Sequence, residues 1–506
     1  MEALKEELKH VREQHFKAVT RKEKLAIKEQ DKAIREKIAN SLADVANTRN
    51  KFEIEEQNKQ IEKLKLELVQ ANNLPETEEI ETGTLFETKK EVTYPRKNKI
   101  AEINRSIKNC ENKITSLQTN TQAELIRDQA LKIAQWDIYN QNAQADWFDM
   151  DWMFGIQDGF DVVIGNPPYG ALSSSVEKEY FKKTYETTKT IKNVQKGSLD
   201  TYSLFIELGH KNLKVKGNLI YIVPISITSS ESMTATHKLL ENTCSLIKIS
   251  SYSVRPQPVF ENAVVNTSIL FFLKDNKKNK SILCTKMYRK SKDFNLSKLM
   301  NNLEFIDVTK TKLIGRYPKI SNSIENKILN KLHSYENKIR DLILDDGKPI
   351  YYRFAGGRYF KIFTNYPTNS SAERPLYLDD KFCNVIGCIL SSNLFFWWYQ
   401  IYSDNLNLKS YEIEEFPFPL NRLTDEVIVQ INSLYEEYLI DIEINSNVRQ
   451  TKKYSNIDSF KEYKIGKSKY IIDKIDDLIS PLYGLSRQEV EFIKNYEIEY
   501  RISDDE

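Results

Sequence analysis

Phe160-Asp161-Val162-Val163-Ile164-Gly165-Asn166-Pro167-Pro168-Tyr169 decides how the rest of this 506-residue chain is read. Its first half is a short run of apolar and β-branched residues, the pattern of a strand buried on both faces of a parallel sheet. Asn166-Pro167-Pro168 stops the run. Each proline sets its own φ near −65° and pushes the residue before it out of the helical region, so Asn166 and Pro167 are held extended. A stiff loop leaving the carboxyl end of a parallel strand lies where open α/β sheets place their ligands.

The residue types suit an amino group on a planar ring. An adenine amine is a poor nucleophile because its lone pair is delocalised into the ring. The Asn166 side-chain oxygen and the Pro167 carbonyl, aimed at its two N–H bonds, would localise that lone pair towards an electrophilic methyl group. Tyr169 would stack on the ring face, a contact worth about 1–3 kcal/mol. The bland alternative is an ordinary turn, since Asn-Pro and Pro-Pro punctuate loops.

Asn166-Pro167-Pro168-Tyr169, joined to the strand before it, resembles the catalytic motif of S-adenosylmethionine-dependent DNA methyltransferases acting on adenine-N6. The resemblance implies that Asn166, Pro167, Pro168 and Tyr169 are catalytic and that double-stranded DNA is the partner. It also implies S-adenosyl-L-methionine as cofactor and a partial Rossmann-like α/β core with a mostly parallel sheet.

Downstream, helix and strand patterns alternate. Ser198 and Asp200 can cap a helix with Tyr202, Phe205, Leu208 and Leu213 on one face. Gly217–Val223 reads as the next strand, Ser230 and Glu231 open another helix, and Leu246–Ser250 and Val264–Leu273 are further strands. Arg255-Pro256-Gln257-Pro258-Val259-Phe260 is a proline-stiffened loop. In the resembling enzymes an aromatic in the corresponding loop packs on the extruded base, which makes Phe260 a base-stacking candidate; a core role is the alternative.

Upstream, residues 1 to about 73 are rich in Glu, Lys, Ala, Leu and Ile and lack proline, which predicts one or two long helices. Leu74–Pro95 reads as a loop. A second helix is expected from near Asn98, with Ile100, Ile103, Ile107, Cys110, Ile114 and Leu117 in an a/d seam and Ile54, Ile61, Leu64 and Leu68 facing it. The balanced charge of this antiparallel arm favours a structural role over DNA contact. Trp136, Trp147, Trp152 and Phe154 read as core anchors.

After residue 300 the pattern changes. A helix is expected from Ser321 or Ser323 through Ile324, Ile328, Leu332 and Ile339. Tyr351–Phe360 interleaves arginine with aromatics around Gly356-Gly357, a hairpin that could read bases and phosphates through Arg353, Arg358 and Lys361; arginines snorkelling from an amphipathic hairpin is the alternative. Cys388–Tyr402 predicts one buried helix. Ser403–Lys409 followed by Glu415-Phe416-Pro417-Phe418-Pro419 resembles the specificity domains of Type IIG restriction-modification enzymes, TaqI-like in type, and of Type I specificity subunits. Ile471–Leu485 resembles the closing helices of Type IIG proteins. The expected domains are a helical hairpin arm over 1–145, a catalytic core over 146–300, an α+β recognition domain over 301–422 and a helical region over 423–506.

Composition narrows the rest. The net charge of +2 divides into about −1 over the first 150 residues, about +12 over 151–400 and about −9 over the remainder, which places DNA phosphates along the middle segment. No apolar run approaches the length of a membrane span and the N-terminus lacks an apolar targeting segment, so a soluble cytoplasmic protein is expected. Five scattered cysteines and five histidines show no metal-ligand spacing, so no metal site is expected.

S-adenosylmethionine binding in the resembling family resides in a glycine-rich turn upstream of the catalytic loop. No two glycines in this chain fall two apart, and the expected upstream region is helical. The chain therefore resembles the portion of such an enzyme from the catalytic loop onward. That leaves two expectations: an enzyme whose cofactor is held by a separate upstream polypeptide, or a DNA-recognition subunit or inactive remnant.

Overall fold

The computed structural model describes residues 2–502 except 85–86, 119–131, 133–135, 141, 144, 146–147, 173, 192–196, 261–264, 276–279, 291–294, 356–359, 369 and 451–458. Arg358 and Trp147 lie outside the described residues. The chain divides into two compact units, residues 1–157 and 158–506.

In the first unit α1 (Glu2–Lys17) packs on α2 (Arg21–Ala71). At 51 residues α2 is about 76 Å long. It begins on a capping box, Thr20 accepting from the Glu23 amide while the Glu23 carboxylate accepts from the Thr20 amide. Leu8, Val11, Ile34, Ile38 and Met153 form a small core, with Trp136 packed on it and Phe154 edge-on to Trp136. Beside it Asp31 is sandwiched between two buried arginines, Arg12 at 2.9 Å and Arg35 at 2.6 Å.

The far half of α2 packs on α3 (Pro95–Gln118). Ile103 and Ile61 are buried, and Ile100, Ile107, Cys110, Ile114 and Leu117 line the same side half-buried, the seam expected from their spacing. The connection differs from expectation. Instead of a loop, β1 (Glu78–Thr84) and β2 (Glu87–Thr93) form an antiparallel hairpin in continuous register from Glu78↔Thr93 to Thr84↔Glu87. The acidic composition argued for a loop, but β-branched residues at Ile80, Thr82 and Thr84 recur with the period of a strand.

The second unit is built on a six-stranded sheet in the order β3 (Phe160–Gly165), β4 (Leu213–Pro224), β6 (Thr267–Lys274), β5 (Cys244–Tyr252), β7 (Ser281–Tyr288), β8 (Ile306–Asp307). Four strands point one way. β6 and β8 point the other. The reason for β6 is its connection: Ser253–Asn266 carries no helix among its described residues, so the chain returns antiparallel rather than crossing over. One face of the sheet carries Leu219, Tyr221, Val223, Leu270, Phe272, Ile247 and Ile249, all buried in the core with residues of α5 (Thr201–Asn212), which follows α4 (Ser175–Thr184) in the chain, and of α6 (Thr234–Thr243).

β3 corrects an expectation. It is an edge strand: among the described residues it pairs with β4 alone, and its apolar side chains are open, Val162 being 51% and Ile164 74% exposed. The half-exposed Ile220 and Ile222 of β4 share the face of Val162 and Ile164.

The remainder of the unit packs a three-stranded sheet, β9 (Ile343–Arg353) flanked by β10 (Phe363–Thr364) and β11 (Glu373–Leu378), against helices. The helix expected from Ser321 or Ser323 is Ser323–Leu332, capped by Asn322, and Ile339 opens a separate turn. The one helix expected over Cys388–Tyr402 is two, Asp380–Leu390 and Asn393–Tyr402, bent by 71° and core-forming, the second buried at every residue. No single helix among the described residues is long and apolar enough to cross a membrane. Arg501 closes the unit, donating to Asn393 at 2.7 Å and stacking on Phe360 and Phe396.

Candidate functional site

Topology gathers the loops. β3, β4, β5 and β7 run parallel to one another, so the segments after Gly165, Pro224, Tyr252 and Tyr288 leave the same end of the sheet. The loop Asn166–Gly170 is the first of them. Asn166 and Pro168 are exposed, Pro167 is buried and Tyr169 is half-buried.

The loop is pinned at both ends. The Tyr169 hydroxyl donates to the Ile222 carbonyl of β4 at 2.9 Å. Burial raises the Tyr169 pKa, so the phenol is a firm donor at neutral pH. Thr201, the first residue of α5, donates through its hydroxyl to the Pro168 carbonyl at 2.6 Å and through its amide to the Gly170 carbonyl at 2.8 Å. Ala171 forms a β-bridge to Asp200. Asp200 occupies the cap position of α5, yet its carboxylate bonds to Ser198 rather than to the helix. Tyr202 of α5 reaches Ser226 in the next loop at 2.6 Å. Nothing in the sequence singles out Thr201; its role depends on hydrogen bonds to residues 31 and 33 positions away.

The loop after β4 is clamped by residues from beyond 300. Arg316, fully buried, stacks on Tyr411 and pairs with Glu231 at 2.8 Å, and the Tyr411 hydroxyl donates to the Ser229 carbonyl. Gly315 has φ +68°, and a Cβ there would lie 2.6 Å from the Glu231 Cα, so only glycine fits.

Phe260 is half-buried on the Ser253–Asn266 loop. Asn266 ties that loop to Ser403–Lys409: its oxygen accepts from the Val254 amide at 2.7 Å and its amide group donates to the Asp404 carbonyl at 2.8 Å. Beneath lies Lys319, whose ammonium is buried and donates to the carbonyls of Ile401 and Ser403. Burial lowers its pKa to about 7 and raises that of the neighbouring buried Glu412 to about 7. A lysine inside the apolar run Tyr317-Pro318-Lys319-Ile320 is the sequence signal that could have marked it.

Of the arginine-rich hairpin, Arg353 is exposed at the end of β9. Lys361 is not on the surface. It is buried with its ammonium 3.9 Å from the centroid of the Tyr399 ring, and burial lowers its pKa to about 8. Its place under the Asn393–Tyr402 helix removes it from contact with nucleic acid.

The described residues beside Asn166 do not fit S-adenosylmethionine. Among the described strands β3 is outermost, its open face offers Val162 and Ile164 rather than polar anchors, and Gly170, at the end of the loop, faces open space instead of a close backbone approach.

Residues 47–260 match the Eco57I restriction-modification methylase family. The chain is 30% identical over 168 residues to the type II restriction enzyme and methyltransferase RM.Eco57I of Escherichia coli, a match covering 32% of this chain and 15% of that protein. It is 32% identical over 135 residues to a putative type II restriction enzyme and methyltransferase of Methanocaldococcus jannaschii, covering 27% of this chain and 10% of that one. Among solved structures it is similar to the Type IIL restriction-modification enzyme MmeI in complex with DNA, at 11% identity and TM-score 0.37 over 67% of this chain and 57% of MmeI. A putative class I S-adenosylmethionine-dependent methyltransferase from Listeria monocytogenes aligns at 22% identity and TM-score 0.21, over 29% of this chain and 41% of that one.

Proposed function

We propose that this chain handles the target base in S-adenosylmethionine-dependent, adenine-N6-specific DNA methylation by a restriction-modification system. The observation that carries the reading is the loop itself. Asn166 is exposed at the carboxyl end of β3, on a backbone stiffened by two prolines and pinned by Tyr169 to Ile222 and by Thr201 to Pro168. The match of residues 47–260 to a restriction-modification methylase family supports it.

In this reading an adenine extruded from duplex DNA lies against Tyr169, and the Asn166 side-chain oxygen accepts from its amine. That hydrogen bond draws the nitrogen lone pair out of the ring, and the preorganised loop spends no reorganisation at that moment. Phe260 offers a second face for the base. Residues 301–422 choose the sequence, with Arg353 and, outside the described residues, Arg358 as candidate readers.

The cofactor is held by groups other than those described here, which bring a glycine-rich turn to the open side of β3. The outermost place of β3 among the described strands and the exposed Val162 and Ile164 support this arrangement. They equally favour a second reading, a recognition subunit that does not itself transfer a methyl group.

Base-resolved sequencing of DNA from cells carrying the gene in its native locus tests both. N6-methyladenine at one sequence, lost in Asn166→Ala, supports the first reading. Methylation that persists in Asn166→Ala and vanishes on deletion of the gene supports the second, and no methylation at all removes both.

A further inference from the structure

The Ser403–Lys409 loop is held far more tightly than its exposure requires. Lys319 donates to the Ser403 carbonyl at 2.7 Å, and Asn266 donates to the Asp404 carbonyl at 2.8 Å. The Asp404 carboxylate accepts from the Leu406 amide at 2.9 Å and from Lys409 at 2.8 Å. Leu408 donates to Phe354 at 2.8 Å, Asn407 bridges to Ala355, and Asn405 sits at φ +62°. At the tip of this framework Leu406 is 53% exposed.

The surroundings identify what a fixed leucine would meet. Asn266 immediately precedes β6, whose first residue pairs with the last residues of β4 and β5, and Asn405 contacts Met287 near the end of β7. The loop is therefore tied to the same end of the sheet from which Asn166–Tyr169 emerges. Its neighbours are cationic: Arg353 precedes the residue that Leu408 bonds, and Arg255 follows the residue that Asn266 bonds, both exposed. An apolar tip among arginines suits a partner that is a polyanion outside and a stack of apolar rings inside. DNA-opening proteins insert leucine or similar side chains between base steps in this way.

We infer that Leu406 is a wedge that enters duplex DNA at the target step and holds open the space left by the extruded adenine. It is a positioning residue: it touches the neighbouring base pairs and leaves the transfer chemistry to Asn166. The inference rests on the reading of Asn166–Tyr169 as an adenine site.

A duplex enriched by the full chain from a random-sequence pool, remade with 2-aminopurine at each adenine in turn, tests it, because the fluorescence of this base rises when it leaves the stack. Wild-type chain should raise the signal at one position. Leu406→Ala should lower that rise at least about fivefold, since the cost of unstacking then goes uncompensated. Leu406→Met should keep it, and placing the target opposite an abasic site should restore it in Leu406→Ala. Val429→Ala, which trims another exposed apolar side chain, should change nothing. An undiminished rise in Leu406→Ala, or no restoration on the abasic duplex, overturns the wedge. Bound wild-type chain that brightens no position overturns the adenine-site reading and the wedge together.

Discussion

The hydroxyl of Tyr169 is bonded to the backbone carbonyl of Ile222 at 2.9 Å, so the ring that would meet a base is tethered to the sheet through its far end. Sequence alone assigns only the ring face to Tyr169 and predicts that Tyr169→Phe loses far less than Tyr169→Ala. The tether changes that expectation. Tyr169→Phe should lose the hydrogen bond, about 0.5–1.5 kcal/mol, and leave the Ile222 carbonyl without that donor. Tyr169→Ala should lose that together with about 1–3 kcal/mol of stacking. Affinity for a duplex with a mismatched target adenine, measured for both variants, checks the order; equal losses would mean that the ring contributes nothing.

Asn166 should act on rate rather than affinity, because its hydrogen bond strengthens only as the amine becomes nucleophilic. With the complete methylating assembly, Asn166→Ala should leave duplex binding within a few fold and abolish transfer of label. A variant that binds as wild type and still transfers at more than a tenth of its rate would remove Asn166 from the chemistry.

The Asn166–Gly170 loop is legible in the sequence because prolines dictate backbone locally and the apolar run before them reads as a strand. What the run does not reveal is its neighbours: Val162 and Ile164 read as core, yet among the described residues β3 is outermost and both side chains are exposed. The a/d seam of the arm is equally local and was readable, whereas the β1–β2 hairpin hid behind its glutamates. Lys361 failed for a different reason. A cation among aromatics suits a nucleic-acid surface or a buried cation–π contact, and only the packing of the Asn393–Tyr402 helix decides between them. Thr201, Asn266 and Lys319 act across 33, 138 and 84 residues, beyond any pattern a window can hold.

Asp31 should be indispensable to the arm. It is fully buried between Arg12 and Arg35, and its removal takes the Asp31 carboxylate away from two buried guanidinium groups. Asp31→Ala should destabilise the first unit by about 3–5 kcal/mol. Replacing all three residues together, Arg12→Met, Asp31→Leu and Arg35→Met, should restore most of that loss. Amide hydrogen exchange over α1 and the start of α2 separates the two; a triple variant as labile as Asp31→Ala would place the cost in packing rather than charge.

His237 should contribute to the acid sensitivity of the second unit. The ring is buried, 2.6 Å from the Ile227 carbonyl and stacked on Tyr317 at 4.0 Å, and burial lowers its pKa from 6.5 to about 4. The folded state therefore keeps the imidazole neutral where the unfolded chain would already bind a proton. Above pH 6.5 neither state is protonated and the group adds no pH dependence. As pH falls from 6.5 towards 4 the unfolded state takes up the proton first, so stability declines across that window, by roughly 3 kcal/mol at most. Below 4 both states are protonated and the slope disappears. His237→Gln keeps a donor for the Ile227 carbonyl and removes the titration. Urea unfolding of the second unit should then show a shallower fall between pH 6.5 and 4 than in the wild-type chain, the remainder including His210 and His333, whose pKa values burial also lowers to about 4, and carboxylates such as Asp404 whose pKa is held low. An unchanged slope in His237→Gln would mean that this ring is reached by water before the unit unfolds.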